Sequence, residues 1–228
     1  MIIGIIGAME KEITILRERM DLTKIEEKAS LTFYIGKLRD KNIVLVRSGI
    51  GKVNAAMCTQ ILIDIFHVDV VINTGVAGAL HPDLNVGDIV VSTDSLQHDI
   101  DASVFGDPRG IVPGLKESIF VADQKLLDII DGITIEDHKI FKGRVLTGDQ
   151  GIASSEIKHF LVENFEGYCV EMEGGAIAHV CYLNEVPFLI IRAISDKADE
   201  EVEINYNEFV EFAAKNSSYM LESILEKL

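Results

Sequence analysis

The chain has 228 residues, of which 48% are hydrophobic and 25% charged, with only four prolines. That composition can bury a full core as one domain over residues 1–228 and leaves no tract with the character of a disordered segment. A formal net charge of -16 repels phosphate backbones and anionic lipid surfaces, which argues against nucleic acid and membrane as partners.

In chain order, Ile2 to Ile6 is a continuous apolar run that predicts a buried strand, and Glu10 to Met20 carries Ile13, Leu16 and Met20 at helical spacing. The apolar start Met1 to Met9 is broken at Glu10 and has no basic residues before it, so a first strand is expected there rather than an export signal. Leu31 to Leu38 and Asn42 to Arg47, with Arg39, Asp40 and Lys41 between them, predict a hairpin. Gly49 and Gly51 introduce a helix over Val53 to Phe66, and a buried strand is expected from Asp69 to Asn73. The small residues Asn73 to Ala79 after it are expected to form a strand-to-helix turn, or a loop whose amides approach a ligand. Further strands are expected at Asp88 to Ser92, Lys139 to Thr147 and Phe188 to Asp196. Helices are expected at Asp123 to Asp131, Ser154 to Asn164, Gly174 to Leu183 and Asn207 to Leu228, the last with an apolar face of Phe209, Phe212, Ala213, Met220 and Ile224. Leu96 to Ser118 lacks periodicity and reads as a long functional loop.

Strands alternating with helices predict an α/β fold, with a mixed central sheet flanked by helices on both sides. The longest apolar stretch, Ile61 to Val76, is interrupted by Asp64, His67 and Asp69 and cannot span a bilayer. Cys58, Cys169 and Cys181 lie scattered in apolar segments and read as buried thiols in a reducing, cytoplasmic setting.

The chemistry-bearing residues fall at strand ends. Glu12, the glycines 75 and 78, Glu173 and Asp196 all follow predicted strands, which is where open α/β sheets place their ligands. Taken singly, Glu12 would be a solvated helix acid stabilised by the helix dipole. Glu171 is as well explained as a partner of a buried Arg192. The acidic run Asp199, Glu200, Glu201 and Glu203 reads as a solvated loop, and His98, Asp99 and Asp101 lack the second cluster a metal site needs. Gly4 to Gly7 lacks the spacing of a dinucleotide fingerprint.

The segments MIIGIIGAMEKE (1–12), RSGIGKVN (47–54), NTGVAGAL (73–80), VGDIVV (86–91), Gly148-Asp149, VEMEGGAIAHV (170–180) and VPFLIIRAISD (186–196) together resemble the 5'-methylthioadenosine/S-adenosylhomocysteine nucleosidases of the purine nucleoside phosphorylase superfamily. The resemblance runs in order along nearly the whole chain. It implies a nucleoside phosphorylase-like fold and hydrolysis of the bond between adenine and ribose, with no cofactor or metal. It implies Asp196 as the acid that protonates adenine N7 and Glu12 as the base that activates water. Glu173 would accept from the ribose hydroxyls and Met172 would pack beneath the ribose, while Gly78 and the Ile152 backbone would contact the ligand. Ala77, Arg192 and Ser195 are implied as supporting residues. Tyr206, standing where the family usually has a phenylalanine, is a further supporting residue, and Met9, Ile50 and the Phe105 to Pro113 loop are implied around the thioalkyl tail, the loop serving a partner's site in a homodimer. Val76 stands where the family often has a serine oriented toward the acid, and Gly151 where an aromatic residue commonly stacks on adenine. Two other readings stay open on residues alone. A phosphorylase would need arginines where this chain has Glu10 and Glu12, and a silent nucleoside-binding module would need neither acid nor base.

Overall fold

The computed structural model describes residues 1–199 and 202–228, with the side chains of 202–205 and 207 outside the description. Of the acidic run, Glu200, Glu201 and the Glu203 side chain therefore lie outside the described residues.

The chain begins with β1 (Ile2–Gly7), whose apolar run is buried on both faces, and turns into α1 (Glu10–Arg19). This helix carries acids in its first turn and Arg17 and Arg19 in its last, complementing its dipole at both ends. Next come β2 (Asp21–Lys28), β3 (Leu31–Leu38) and β4 (Lys41–Arg47), an antiparallel meander of which β3 and β4 form the expected hairpin. Strand β2 was not expected. Its sequence DLTKIEEK is polar on both faces, as suits an edge strand, so it carries no apolar alternation to detect.

After α2 (Lys52–Asp64) comes β5 (Val70–Ala79), which overturns the expected turn at Asn73 to Ala79. The segment stays extended because β10 (Phe188–Asp196) pairs with it in parallel as far as Gly78. The remaining strands are β6 (Ile89–Gln97), β7 (Phe120–Val121), β8 (Ile140–Thr147) and β9 (Cys169–Glu171). The remaining helices are α3 (Gln124–Ile130), α4 (Ser155–Phe165), α5 (Gly174–Leu183) and α6 (Val202–Lys227). Strand β6 reaches Gln97, so the irregular stretch starts later than expected; within it lie a 3-10 turn at Ser103–Phe105 and β7.

The sheet is mixed. Strands β5, β10, β6, β8 and β9 pair in sequence and close on one another, because β5 bonds to both β9 and β10; β1, β4, β3 and β2 extend outward from β5. Helices α2 and α5 pack together on one side, whereas α6 lies along β10 and β5 with α1 and α3 against it. The buried stripe of α6 includes Val210, Ala213, Met220 and Ile224, but Phe212 lies off it, half-exposed and edge-on to His138. A second small core, with Leu96, Leu146, Ile152, Leu161 and Phe165, sits under α4. The three cysteines are buried and free, and burial pushes the Cys58 thiol up to about 12. Among the described residues no helix is long and apolar enough to cross a membrane.

Candidate active site

The carboxyl ends of β1, β5, β9 and β10 meet around a cavity of about 170 Å³. It is lined by Glu12, Glu173 and Asp196 together with Met9, Ile50, Ala77, Gly78, Ile152, Met172, Ser195 and Tyr206. Of the implied site residues, Arg192 stands behind the cavity instead of on its wall, and the loop from Phe105 to Pro113 is absent from the lining contributed by its own chain.

Glu12 is buried, at 4% exposure, contrary to the solvated helix acid it suggests as a lone residue. It sits in the first turn of α1, and its Oε2 accepts from the backbone N–H groups of Ala8 (2.7 Å) and Met9 (2.9 Å). Its Oε1 accepts from the Val76 N–H on β5 at 3.1 Å. Burial holds its pKa above the usual carboxylate range, against the opposing pull of Arg192 and these amides. Gly75 makes this placement possible, because a Cβ there would lie 2.5 Å from Glu12 Oε1. The small residues of β5 thus clear space for carboxylates without breaking the strand.

Asp196 ends β10 opposite Gly78. Its Oδ2 accepts from Ser195 Oγ at 2.8 Å and its Oδ1 from the Ala198 N–H at 2.9 Å. Ser195 and Ala198 therefore orient the carboxyl although Val76 has no hydroxyl to do so. Burial raises its pKa and outweighs the two donors, so the neutral acid is favoured beyond the ordinary range.

Glu171 and Glu173 divide the work at the start of α5. Glu173 occupies the N-cap position yet does not cap the helix; Glu171 accepts from the N–H groups of Glu173 (3.0 Å) and Gly174 (2.7 Å). Glu171 also takes Thr147 Oγ1 and the Arg192 guanidinium, and Arg192 donates further to Asn73 Oδ1 at 2.5 Å. Of the two readings of Glu171, the structure shows the pairing with Arg192, while the Glu173 carboxyl, 3.8 Å from the same guanidinium, turns into the cavity. There its Oε1 accepts from the Gly51 N–H at 2.8 Å. Burial, reinforced by the charge of Glu171, pushes Glu173 up to about 8.

Gly51 precedes α2 with φ +96°, and the neighbouring Lys52 N–H donates to Asp149 Oδ1 at 2.8 Å. The motifs at 47–54 and Gly148-Asp149 are thereby joined beside Glu173. The role of the Ala198 amide carries no sequence signal, since any non-proline residue supplies an N–H. At Gly151 a Cβ would meet nothing within 4 Å, so that wall is open, and Tyr206 donates its hydroxyl to Met9 Sδ at 3.1 Å. Among the described residues no lysine or arginine lines the cavity and no cluster of three His, Cys, Asp or Glu could hold a metal. Asp99 is instead paired with Lys52 (2.6 Å) and Asp101 with Arg109 (2.7 Å).

Residues 2–226 match the family model of the phosphorylase superfamily. A 5'-methylthioadenosine/S-adenosylhomocysteine nucleosidase of Bacillus pumilus is 44% identical over 99% of the chain and 98% of its own length. The crystal structure of the Neisseria meningitidis enzyme of that name, in complex with methylthio-immucillin-A, superposes with a TM-score of 0.95 at 42% identity, covering 100% of this chain and 99% of that one. A futalosine hydrolase of Helicobacter pylori is also similar, with a TM-score of 0.93, 34% identity and coverage of 100% and 98%.

Proposed function

The chain belongs to the phosphorylase superfamily and, within it, to the 5'-methylthioadenosine/S-adenosylhomocysteine nucleosidases, which are N-glycosyl hydrolases, and on that premise we propose how its cavity cleaves a nucleoside. The observation that carries the reading is the convergence of the buried carboxyl groups of Glu12, Glu173 and Asp196 on one cavity, each held by at least one backbone amide.

Adenine leaves poorly as an anion, so the bond to ribose breaks as N7 gains a proton and positive charge grows on the sugar. Asp196 donates that proton. Its burial favours the neutral form needed for donation, and Ser195 and Ala198 hold the carboxyl in one orientation. Glu12 accepts a proton from the water that attacks the anomeric carbon, and burial makes it a stronger base than an exposed glutamate. The pair parallels the acid and base of an inverting glycosidase, with nitrogen in place of the leaving oxygen.

Glu173 accepts from the ribose hydroxyls, which favour its charged form against the burial that raises its pKa. Met172 packs beneath the sugar, Gly78 and the Ile152 backbone contact the base, and Met9, Ile50 and Tyr206 flank the 5' tail. Arg192 acts through Glu171 and the Asn73 side chain of β5 as a positioning residue. The substrates are methylthioadenosine, S-adenosylhomocysteine and 5'-deoxyadenosine, which share the adenine and ribose these groups address, and the enzyme works in the cytoplasm. A homodimer is supported by Phe105, 86% exposed at the tip of the 3-10 turn, whose loop would reach the tail end of a partner's cavity.

Asp196→Asn keeps the shape of the acid and removes its proton. Turnover of methylthioadenosine should fall by roughly 10²- to 10⁴-fold while binding, followed by calorimetry, stays detectable. Near-normal turnover would remove Asp196 from the acid role.

A further inference from the structure

Beside the reaction cavity lies a second recess of about 470 Å³, which shares Ala8, Met9 and Ile50 with it and whose remaining wall is mostly polar, interrupted by Ile13 and Leu31. Two of the shared residues, Met9 and Ile50, are ones placed at the 5' tail, so the recess continues the cavity outward from the sugar. Its wall carries Arg47 from the end of β4, Glu10 from the start of α1 and the hydroxyl residues Ser30, Thr32 and Ser48. Such a lining suits a polar group better than an alkyl chain.

The charges in the recess are unevenly matched. Glu10 gives its Oε1 to Arg17 at 2.6 Å, and its Oε2 lies 3.9 Å from Nε of Arg47. Among the described residues this is the carboxylate within ion-pair distance of Arg47, and it faces Nε alone. A half-exposed guanidinium, held by its carboxylate neighbour only at 3.9 Å, thus lines a recess of largely polar wall in a chain whose net charge is -16. Glu10 pairs more closely with Arg17, which lies outside the recess wall, so of the two charged groups on the wall Arg47 is the less closely partnered. A planar guanidinium in that position is suited to a carboxylate, which it can take with two parallel hydrogen bonds.

We propose that this recess is an amino-acid subsite in which Arg47 binds the α-carboxylate of the homocysteine tail of S-adenosylhomocysteine. The assignment rests on the nucleosidase reading above and explains how one cavity serves two tails. The methyl group of methylthioadenosine ends among Met9 and Ile50. The longer tail passes them into the recess, where its carboxylate meets Arg47.

The test compares kcat/KM for S-adenosylhomocysteine and methylthioadenosine in the unmodified protein, Arg47→Met and Arg47→Lys. The ratio of the two constants should fall about tenfold in Arg47→Met, the scale of a charged hydrogen bond at a partly solvated site, and should stay within about threefold in Arg47→Lys. An analogue whose tail keeps the ammonium and lacks the carboxylate should be indifferent to Arg47→Met relative to methylthioadenosine. Raising the ionic strength should lower the ratio in the unmodified protein and leave it flat in Arg47→Met. An unchanged ratio in Arg47→Met, or the same loss for both substrates, overturns the subsite while leaving the nucleosidase reading intact. Failure of the unmodified protein to cleave either nucleoside overturns the nucleosidase reading and the subsite with it.

Discussion

Glu173 carries the most legible acid–base consequence of the cavity. Burial and the neighbouring Glu171 raise its pKa from 4.5 to about 8, so the folded protein holds a proton that the unfolded chain releases. Its contribution to stability is therefore complete below about pH 4.5 and is lost as the pH rises through about 8. Glu173→Gln should flatten the decline in the urea midpoint across that window for the unliganded protein. An identical slope in the variant would show that Glu173 is ionised in the empty cavity. Arg192 poses the opposite problem, since it is the buried cation that neutralises Glu171. Arg192→Met would strand that carboxylate and should cost about 3–5 kcal/mol in chemical denaturation. A loss below 1 kcal/mol would show that Thr147 and the α5 amides suffice for Glu171. At this scale the sequence was informative about which side chains matter. It was silent on the burial of Glu12, because nothing local to α1 announces that β5 will cover that helix start.

Strand β5 is the element on which the site depends. Its glycines face Glu12 and Asp196 more closely than a Cβ allows without a shift: a Cβ at Gly78 would lie 2.8 Å from Asp196 Oδ1 and 2.9 Å from the Ala198 Cβ. Gly78→Ala should therefore displace the acid and lower kcat by roughly 10- to 100-fold with an unchanged circular dichroism spectrum. Normal kcat would mean that the carboxyl can move without consequence. Read locally, Asn73 to Ala79 has the composition of a turn; its extended form comes from pairing with β10, far away in sequence, and tertiary pairing overrides local preference. Strands with continuous apolar runs, such as β1 and β10, were legible because burial on both faces leaves that signature. The polar edge strand β2 left none.

At the scale of the whole molecule, closure of five strands into a ring gathers the ends of β5, β9 and β10 at one mouth. Alternation of strands and helices shows an α/β mixed sheet but not that β9 and β10 both return to β5, a matter of long-range contacts. The α5 start with Glu171 and Glu173 and the β10 end with Asp196 become one site only through that closure. The result is a cavity lined by Glu12, Glu171, Glu173 and Asp196 and, among the described residues, by no lysine or arginine, a setting that disfavours an anionic phosphate. That setting supports the proposal that water is the nucleophile. The most direct measurement is adenine release from methylthioadenosine by the purified protein with and without phosphate, identifying the sugar product by mass. The expected result is free methylthioribose at a rate indifferent to phosphate; a phosphate-dependent rate yielding the sugar 1-phosphate would contradict hydrolysis.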